Sequence, residues 1–304
     1  MGWLPKKSSL SRFKVGQFSR RPSLKRKTTQ KSELVFAMDS LVARVSMGLE
    51  TCDSQVARVP LGQPDVSVIL PVYNEQSCIG STFDAVLDYS RLHPTYQFIF
   101  VNDGSNDQTQ RILEQRIAGA ETEQIQLCAY PDRGGKGYAV RRGMEIADGD
   151  YICFIDGDLA YSLDHLDLLV AKLQHYEMVI GCRGLVPGGD RGLNTTRKVA
   201  GKIYNILSKR ILNLRFIDMQ AGLKGFQKLT ARELFSRQAL TGFSFDVELI
   251  YLAKKLGYAI GEIPAYVSVN HSHKVSKVNL LMDSLKMLGD LFKIRLNDWL
   301  GRYE

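Results

Sequence analysis

A chain of 304 residues, 44% hydrophobic and 24% charged, has ordinary globular composition and enough length for one large domain or two smaller ones. Its net charge of +8 is unevenly placed: Met1–Lys31 holds 10 Lys and Arg and no acid, so the remainder is slightly acidic. No apolar run approaches the roughly 18 residues of a spanning helix, and the five cysteines (Cys52, Cys78, Cys128, Cys153, Cys182) lack CxxC spacing, which excludes a disulfide framework and reads as reduced core thiols of a cytosolic protein.

The basic tail suits anionic lipid, nucleic acid or a targeting role, or else is a solvated extension. The chain opens Met-Gly, but Lys6 stands where the myristoylation pattern needs Ser or Thr. Val35, Met38, Val42, Val45 and Leu49 then recur at helical spacing, and residues 51–64 read as a linker. Residues 1–64 are therefore assigned as tail, candidate amphipathic helix and linker.

From Asp65 short apolar runs alternate with helical stretches. The runs are Val66–Leu70, Phe98–Val101, Ile125–Ala129, Tyr151–Ile155 and Met178–Ile180. Helical spacing covers Ser77–Leu92, Gln108–Ile117, Lys136–Ile146 and Leu163–Gln174. This alternation predicts a doubly wound, Rossmann-like α/β domain over 65–277, with a mostly parallel sheet and helices on both faces. The glycines between Arg183 and Asn194 predict a mobile loop. Helices are expected over Thr195–Asn213 and Phe245–Leu256, with an irregular segment between them. In 278–304, Val278, Leu281, Leu285, Leu288, Phe292 and Leu296 form the stripe of an amphipathic helix, read as a core contact in preference to a membrane contact.

Polar residues cluster where three strands end. The first run leads into Pro71-Val72-Tyr73-Asn74-Glu75, the second into Asn102-Asp103-Gly104-Ser105, and Tyr151–Ile155 into Asp156-Gly157-Asp158. In open α/β sheets ligands collect at the carboxyl ends of strands, so one crevice would receive Glu75, Asp103, Asp156 and Asp158. At ~4 Å and an effective dielectric near 20, each like-charge pair costs about 4 kcal/mol, which calls for a bound cation. Carboxylates without a matching His or Cys cluster suit Mg²⁺ or Mn²⁺, and magnesium usually accompanies substrate phosphates. Asp148-Gly149-Asp150, the same tripeptide ahead of the same strand, is read as a turn.

These segments, with Gly135-Lys136-Gly137-Tyr138-Ala139-Val140-Arg141 between them, resemble the inverting GT-A glycosyltransferases that use nucleotide sugars. Asp218-Met219-Gln220-Ala221-Gly222-Leu223-Lys224-Gly225-Phe226 and Phe245-Asp246-Val247-Glu248-Leu249 are similar to the branch acting on polyprenyl phosphates, the dolichyl-phosphate β-glucosyltransferases and dolichol-phosphate mannose synthases. Two departures stand out: Asn102 replaces an aspartate found in many members, and the spanning segments common in that branch are missing from this sequence.

The resemblance implies transfer of a hexose, from UDP-glucose ahead of GDP-mannose, to dolichyl or undecaprenyl phosphate. It places Pro71, Tyr73, Glu75 and Asp103 on the nucleotide, Asp156 towards ribose or sugar, and Asp158, with Asp156, on the metal. Lys136 would face the diphosphate, and Asp246 stands with it among the catalytic residues. Arg183 and Arg197 would grip the acceptor phosphate, with Asp218, Gln220 and Glu248 along the acceptor side. His271, His273 and Lys277 would close over the diphosphate. No nucleic acid is expected as partner. A peripheral place on the cytoplasmic membrane face, in contact with anionic lipid, is. The rival readings are a soluble glycosyltransferase acting on a hydroxyl, with Asp246 or Asp218 as base, and a nucleotide-binding surface protein without turnover.

Overall fold

The structure, a computed structural model, describes residues 62–191, 193, 195–268 and 280–304, without the side chains of residues 197 and 280–284. The basic tail, the candidate helix from Val35 to Leu49, most of the linker, and His271, His273 and Lys277 lie outside the described residues.

The alternation read from the sequence folds as β1 (Val66–Val72), α1 (Ile79–Leu92), β2 (Tyr96–Asp103), α2 (Thr109–Gly119), β3 (Ile125–Tyr130), α3 (Lys136–Ile146), β4 (Tyr151–Ile155), α4 (His165–Leu173) and β5 (Met178–Cys182). Then follow α5 (Thr195–Leu212), β6 (Leu223–Gln227), α6 (Lys228–Arg237), α7 (Phe245–Lys255), β7 (Ile260–Pro264) and α8 (Leu280–Trp299). The seven strands make one sheet in the order β3-β2-β1-β4-β6-β5-β7. Only β6 runs against the others, antiparallel to β4 and to β5.

The apolar runs are continuous because both faces of the sheet are covered. Alternation along each strand sends Val68, Leu70, Phe98, Phe100, Cys153 and Ile155 to one core, where Phe83 of α1, Leu113 of α2 and Leu166 of α4 pack. Ile69, Ile99, Val101, Ile152 and Phe154 enter the other, against Val140 of α3, Leu234 of α6 and Val247 of α7. Each side chain of this size contributes about 1.5–3 kcal/mol when fully buried, so the sheet ends are held by a rigid frame.

Three local expectations need correction. The segment from Leu214 to Ser244, expected to be irregular, contains β6 and α6. Its strand is five residues long and interrupted by Lys224 and Gly225, so no apolar alternation marks it. The glycine-rich stretch after β5 is a series of hydrogen-bonded turns: Gly189 N donates to Val186 O, Arg191 N to Gly188 O, and Val267 N to Gly189 O. The C-terminal stripe faces the core only in part: Leu288 packs against it, and Val278 and the side chain of Leu281 lie outside the described residues. Leu291 and Ile294 are buried in the core, whereas Leu285, Phe292 and Leu296 are exposed, because α8 carries a second apolar face outside the stripe. The turn assigned to Asp148–Asp150 is one, with Gly149 N donating to Ser67 Oγ at 2.9 Å.

Candidate functional site

The strand order reverses beside β1: the chain builds β2 and β3 on one side, then returns to lay β4 on the other. That switch point leaves a crevice beyond the carboxyl ends of the strands. It measures about 1290 Å³, more than the roughly 300–1,000 Å³ of a single small-molecule pocket, and so has room for two substrates. Pro71, Tyr73, Glu75, Asp103, Lys136, Asp156, Asp158, Arg183, Asp218, Gln220 and Asp246 all line it. Three strand ends and two helix starts thus bring together most of the side chains singled out by sequence.

Its centre is a chain of alternating charges. Asp156 follows β4, and β6 pairs beside it so that Asp156 N donates to Gly222 O at 3.0 Å. A Cβ at Gly222 would lie 2.1 Å from Asp156 Oδ2, so a side chain there would displace the carboxylate. Lys136, the first residue of α3, puts Nζ 2.8 Å from Asp156 Oδ1 and 3.8 Å from Asp246 Oδ2. On the far side Lys224 Nζ lies 2.6 Å from Asp246 Oδ1 and donates to Ala221 O at 2.7 Å. Lys224 is fully buried.

Burial is the largest influence on Asp156, Lys136 and Lys224. It pushes the Asp156 carboxyl above its usual range; Lys136 opposes that, and Asp158 and Asp246 reinforce it. For Lys136 burial disfavours the ammonium, but Asp156 and Asp246 outweigh it and the pKa rises. For Lys224 burial prevails over Asp246, and the pKa falls.

The turn opening α3 is clamped by Asp103. Gly134 N and Gly135 N donate to its carboxylate at 2.7 and 3.0 Å, and Tyr130 Oη donates at 2.8 Å. Gly135 sits at φ +98°, in the left-handed region open to glycine. Asp103 thereby fixes the direction in which Lys136 enters the crevice. Nearby, the Arg133 guanidinium lies 4.1 Å from the Tyr73 ring centroid, an aromatic and cationic pair at the mouth. Glu75 accepts from Cys78 Sγ at 3.1 Å, while its amide donates to Thr109 Oγ1 at 2.7 Å.

On the other side Arg183 and Asp218 form a bidentate pair, Nε to Oδ2 at 2.6 Å and Nη2 to Oδ1 at 2.8 Å. Burial alone would raise the Asp218 pKa, yet the hydrogen bonds and charge of Arg183 hold it below the usual carboxylate range. Gln220 N also donates to Asp218, at 3.1 Å. Arg197 lies in the first turn of α5, and its side chain is outside the described residues.

Glu248, expected along the acceptor side, does not reach the crevice. It is fully buried and accepts from Ala239 N, Leu240 N and Tyr303 Oη at 3.0, 2.9 and 2.6 Å. Two residues from Asp246 on a helix it points elsewhere, and it ties the loop before α7 to the C-terminus.

The donor chemistry fits a hard cation. Asp158 and Asp156 bring carboxylates to the crevice, and among the described residues no group of three or more His, Cys, Asp or Glu converges on a metal position. One or two carboxylates, with substrate phosphates and water filling the remaining positions, is the usual protein share for Mg²⁺.

Residues 67–235 match the family described as glycosyl transferase family 2. The chain belongs to that family. It is 29% identical over 256 residues to a dolichyl-phosphate beta-glucosyltransferase of Dictyostelium discoideum, covering 80% of this chain and 77% of that one. A Drosophila melanogaster protein of the same name is 28% identical over 256 residues, 79% of this chain and 77% of that one. Among solved structures, glucosyl-3-phosphoglycerate synthase from Mycobacterium tuberculosis, in complex with Mn²⁺, UDP and glucosyl-3-phosphoglycerate, superposes with a TM-score of 0.54 at 18% identity. That match covers 77% of this chain and 79% of the synthase, and shows the shared GT-A fold.

Sequence reasoning gave Lys224 no role, although a lysine inside the short run Leu223–Phe226 is the signal of a buried, paired charge. Arg133 and Tyr161 also line the crevice without a sequence signal.

Proposed function

We propose that this glycosyltransferase moves a hexose, glucose from UDP-glucose ahead of mannose from GDP-mannose, onto a polyprenyl phosphate of the dolichyl or undecaprenyl kind, with inversion at the anomeric carbon. The convergence of Lys136, Asp156, Asp158 and Asp246 at the carboxyl end of β4 carries this reading, with the names of the relatives supporting the acceptor. Pro71, Tyr73, Glu75 and Asp103 hold the nucleoside side, where the Tyr73 ring and Arg133 offer a stacking surface.

Asp158, with Asp156, would hold Mg²⁺ or Mn²⁺, which when bound neutralises charge on the diphosphate. Lys136 supplies a second positive charge to the same leaving group. An acceptor phosphate oxygen attacks the anomeric carbon, and the bond to the nucleoside diphosphate breaks with its electron pair on the departing oxygen. A phosphomonoester with its second pKa near ~6 is largely dianionic at neutral pH, so this step needs no strong base. On this reading Arg183, Arg197 and Gln220 serve the acceptor phosphate, and His273 and Lys277, which lie outside the described residues, serve the diphosphate.

One observation favours a hydroxyl acceptor instead: Asp218 already holds Arg183 bidentately, which leaves fewer donors for a phosphate. In that reading Asp246 or Asp218 is the base. Incubation with radiolabelled UDP-glucose or GDP-mannose, Mn²⁺ and either polyprenyl phosphate or polyprenol, followed by solvent extraction, separates the two. Label in the organic phase with the phosphate alone supports the proposal. Label with polyprenol, or with neither lipid, sinks it.

A further inference from the structure

The exposed face of α8 is the least expected surface of the fold. Leu285, Phe292, Leu296 and Trp299 are 68%, 64%, 52% and 81% exposed. At 100° per residue they fall within about 60° of arc, roughly opposite the buried Ile294. The helix itself is firmly held from beneath: Asp298 pairs with Lys255 of α7 at 2.5 Å, and Arg295 Nε donates to Ile211 O of α5 at 2.8 Å. This is the bare face of an anchored helix.

Its neighbour α5 repeats the pattern. Val199, Ile203 and Ile206 are 52%, 53% and 52% exposed on one side, while Tyr204 and Ser208 are buried on the other. Thr195–Leu212 contains Arg197, Lys198, Lys202, Lys209 and Arg210 and no acid. On α8, Lys286 and Lys293 flank the apolar stripe and are themselves exposed. An apolar stripe bordered by cations is the signature of a helix lying in the plane of a lipid interface, with acyl chains meeting the stripe and anionic headgroups meeting the lysines. The two helices also wall the acceptor end of the crevice, through Lys202, Ile203, Met287 and Leu288.

We propose that the exposed faces of α5 and α8 dock on an anionic bilayer, so that a polyprenyl tail passes from the membrane into the crevice between Ile203 and Leu288. The tail route rests on the polyprenyl-phosphate reading above; the docking face does not. Charge complementarity commits the surface to lipid, because a second copy of the same basic face would be repelled.

The chain has two tryptophans, Trp3 and Trp299, so Trp3→Phe in the full-length protein leaves one probe, on α8. With phosphatidylserine–phosphatidylcholine vesicles, Trp299 emission should shift to the blue and be quenched by brominated acyl chains, with little response to phosphatidylcholine alone. Adding Phe292→Ser and Leu296→Ser should weaken vesicle binding by roughly tenfold or more. Both positions are exposed, which keeps the fold intact, and transfer to a detergent-dispersed short polyprenyl phosphate should be unaffected. Reversing charge with Lys286→Glu and Lys293→Glu should abolish the preference for anionic vesicles. A Trp299 that stays unquenched overturns the proposal, as does a dimer that the serine variant dissociates, which would assign the stripe to a second copy. Quenched Trp299 without lipid-phosphate transfer would sink the acceptor reading and leave the docking face standing.

Discussion

Lys224 is the residue on which the charge chain depends, because it is the fully buried cation that answers Asp246. Removing one partner of a buried pair leaves the other uncompensated, so Lys224→Met should lower the unfolding free energy by about 3 kcal/mol, read from urea denaturation. A change below about 1 kcal/mol would show that Lys136 alone satisfies Asp246. The Arg183–Asp218 pair makes a pH prediction. Asp218 titrates lower in the folded protein than unfolded, so its stabilising contribution is present above the unfolded value near ~3.9 and disappears as pH falls through the folded one. Arg183→Met should therefore narrow the melting-temperature gap to the parent as acid is added; a gap independent of pH contradicts the assignment. Glu248→Ala strands two backbone amides and a tyrosine hydroxyl, which should cost about 2–4 kcal/mol while leaving the acceptor KM of the folded enzyme unchanged. A raised acceptor KM would return Glu248 to the crevice. Asp156 and Asp158 were legible in the sequence because an apolar run ends on them; Glu248 was misplaced because a linear motif does not say which face of a helix each carboxylate takes.

Among elements, β6 does most to shape the site, since its entry against β4 sets Gly222 beside the Asp156 carboxylate. Gly222→Ala should force that carboxylate away from Lys136, lowering kcat by roughly 10²-fold with little loss of thermal stability. Steady-state kinetics beside a thermal melt checks this, and an unchanged kcat would mean the carboxylate position is not critical. The parallel strands were readable because burial on both faces makes them unbroken apolar runs, and their helices because of regular apolar spacing. β6 and β7 were not, because Lys224 and Gly225 break the run in one and Gly261 and Glu262 break it in the other. The α8 stripe was visible as periodicity, but which of its two apolar faces packs depends on tertiary contacts that no local pattern encodes.

At the scale of the molecule, one crevice lies beyond the carboxyl ends of the strands, lined by residues that follow β1, β2 and β4 and by residues of α5 and α8; on the proposed function the first set holds the nucleotide and the second the acceptor. No helix among the described residues is long and apolar enough to cross a membrane. On the proposed function, Asp158, delivered by the end of β4, is the residue on which transfer from nucleotide sugar to polyprenyl phosphate most depends. The most direct measurement compares parent and Asp158→Ala for label carried from UDP-glucose into extracted polyprenyl-phosphate product, at saturating Mn²⁺. The parent should transfer label, and the variant should lose about 10³-fold or more with its melting temperature preserved. Equal transfer by the two proteins would contradict this dependence.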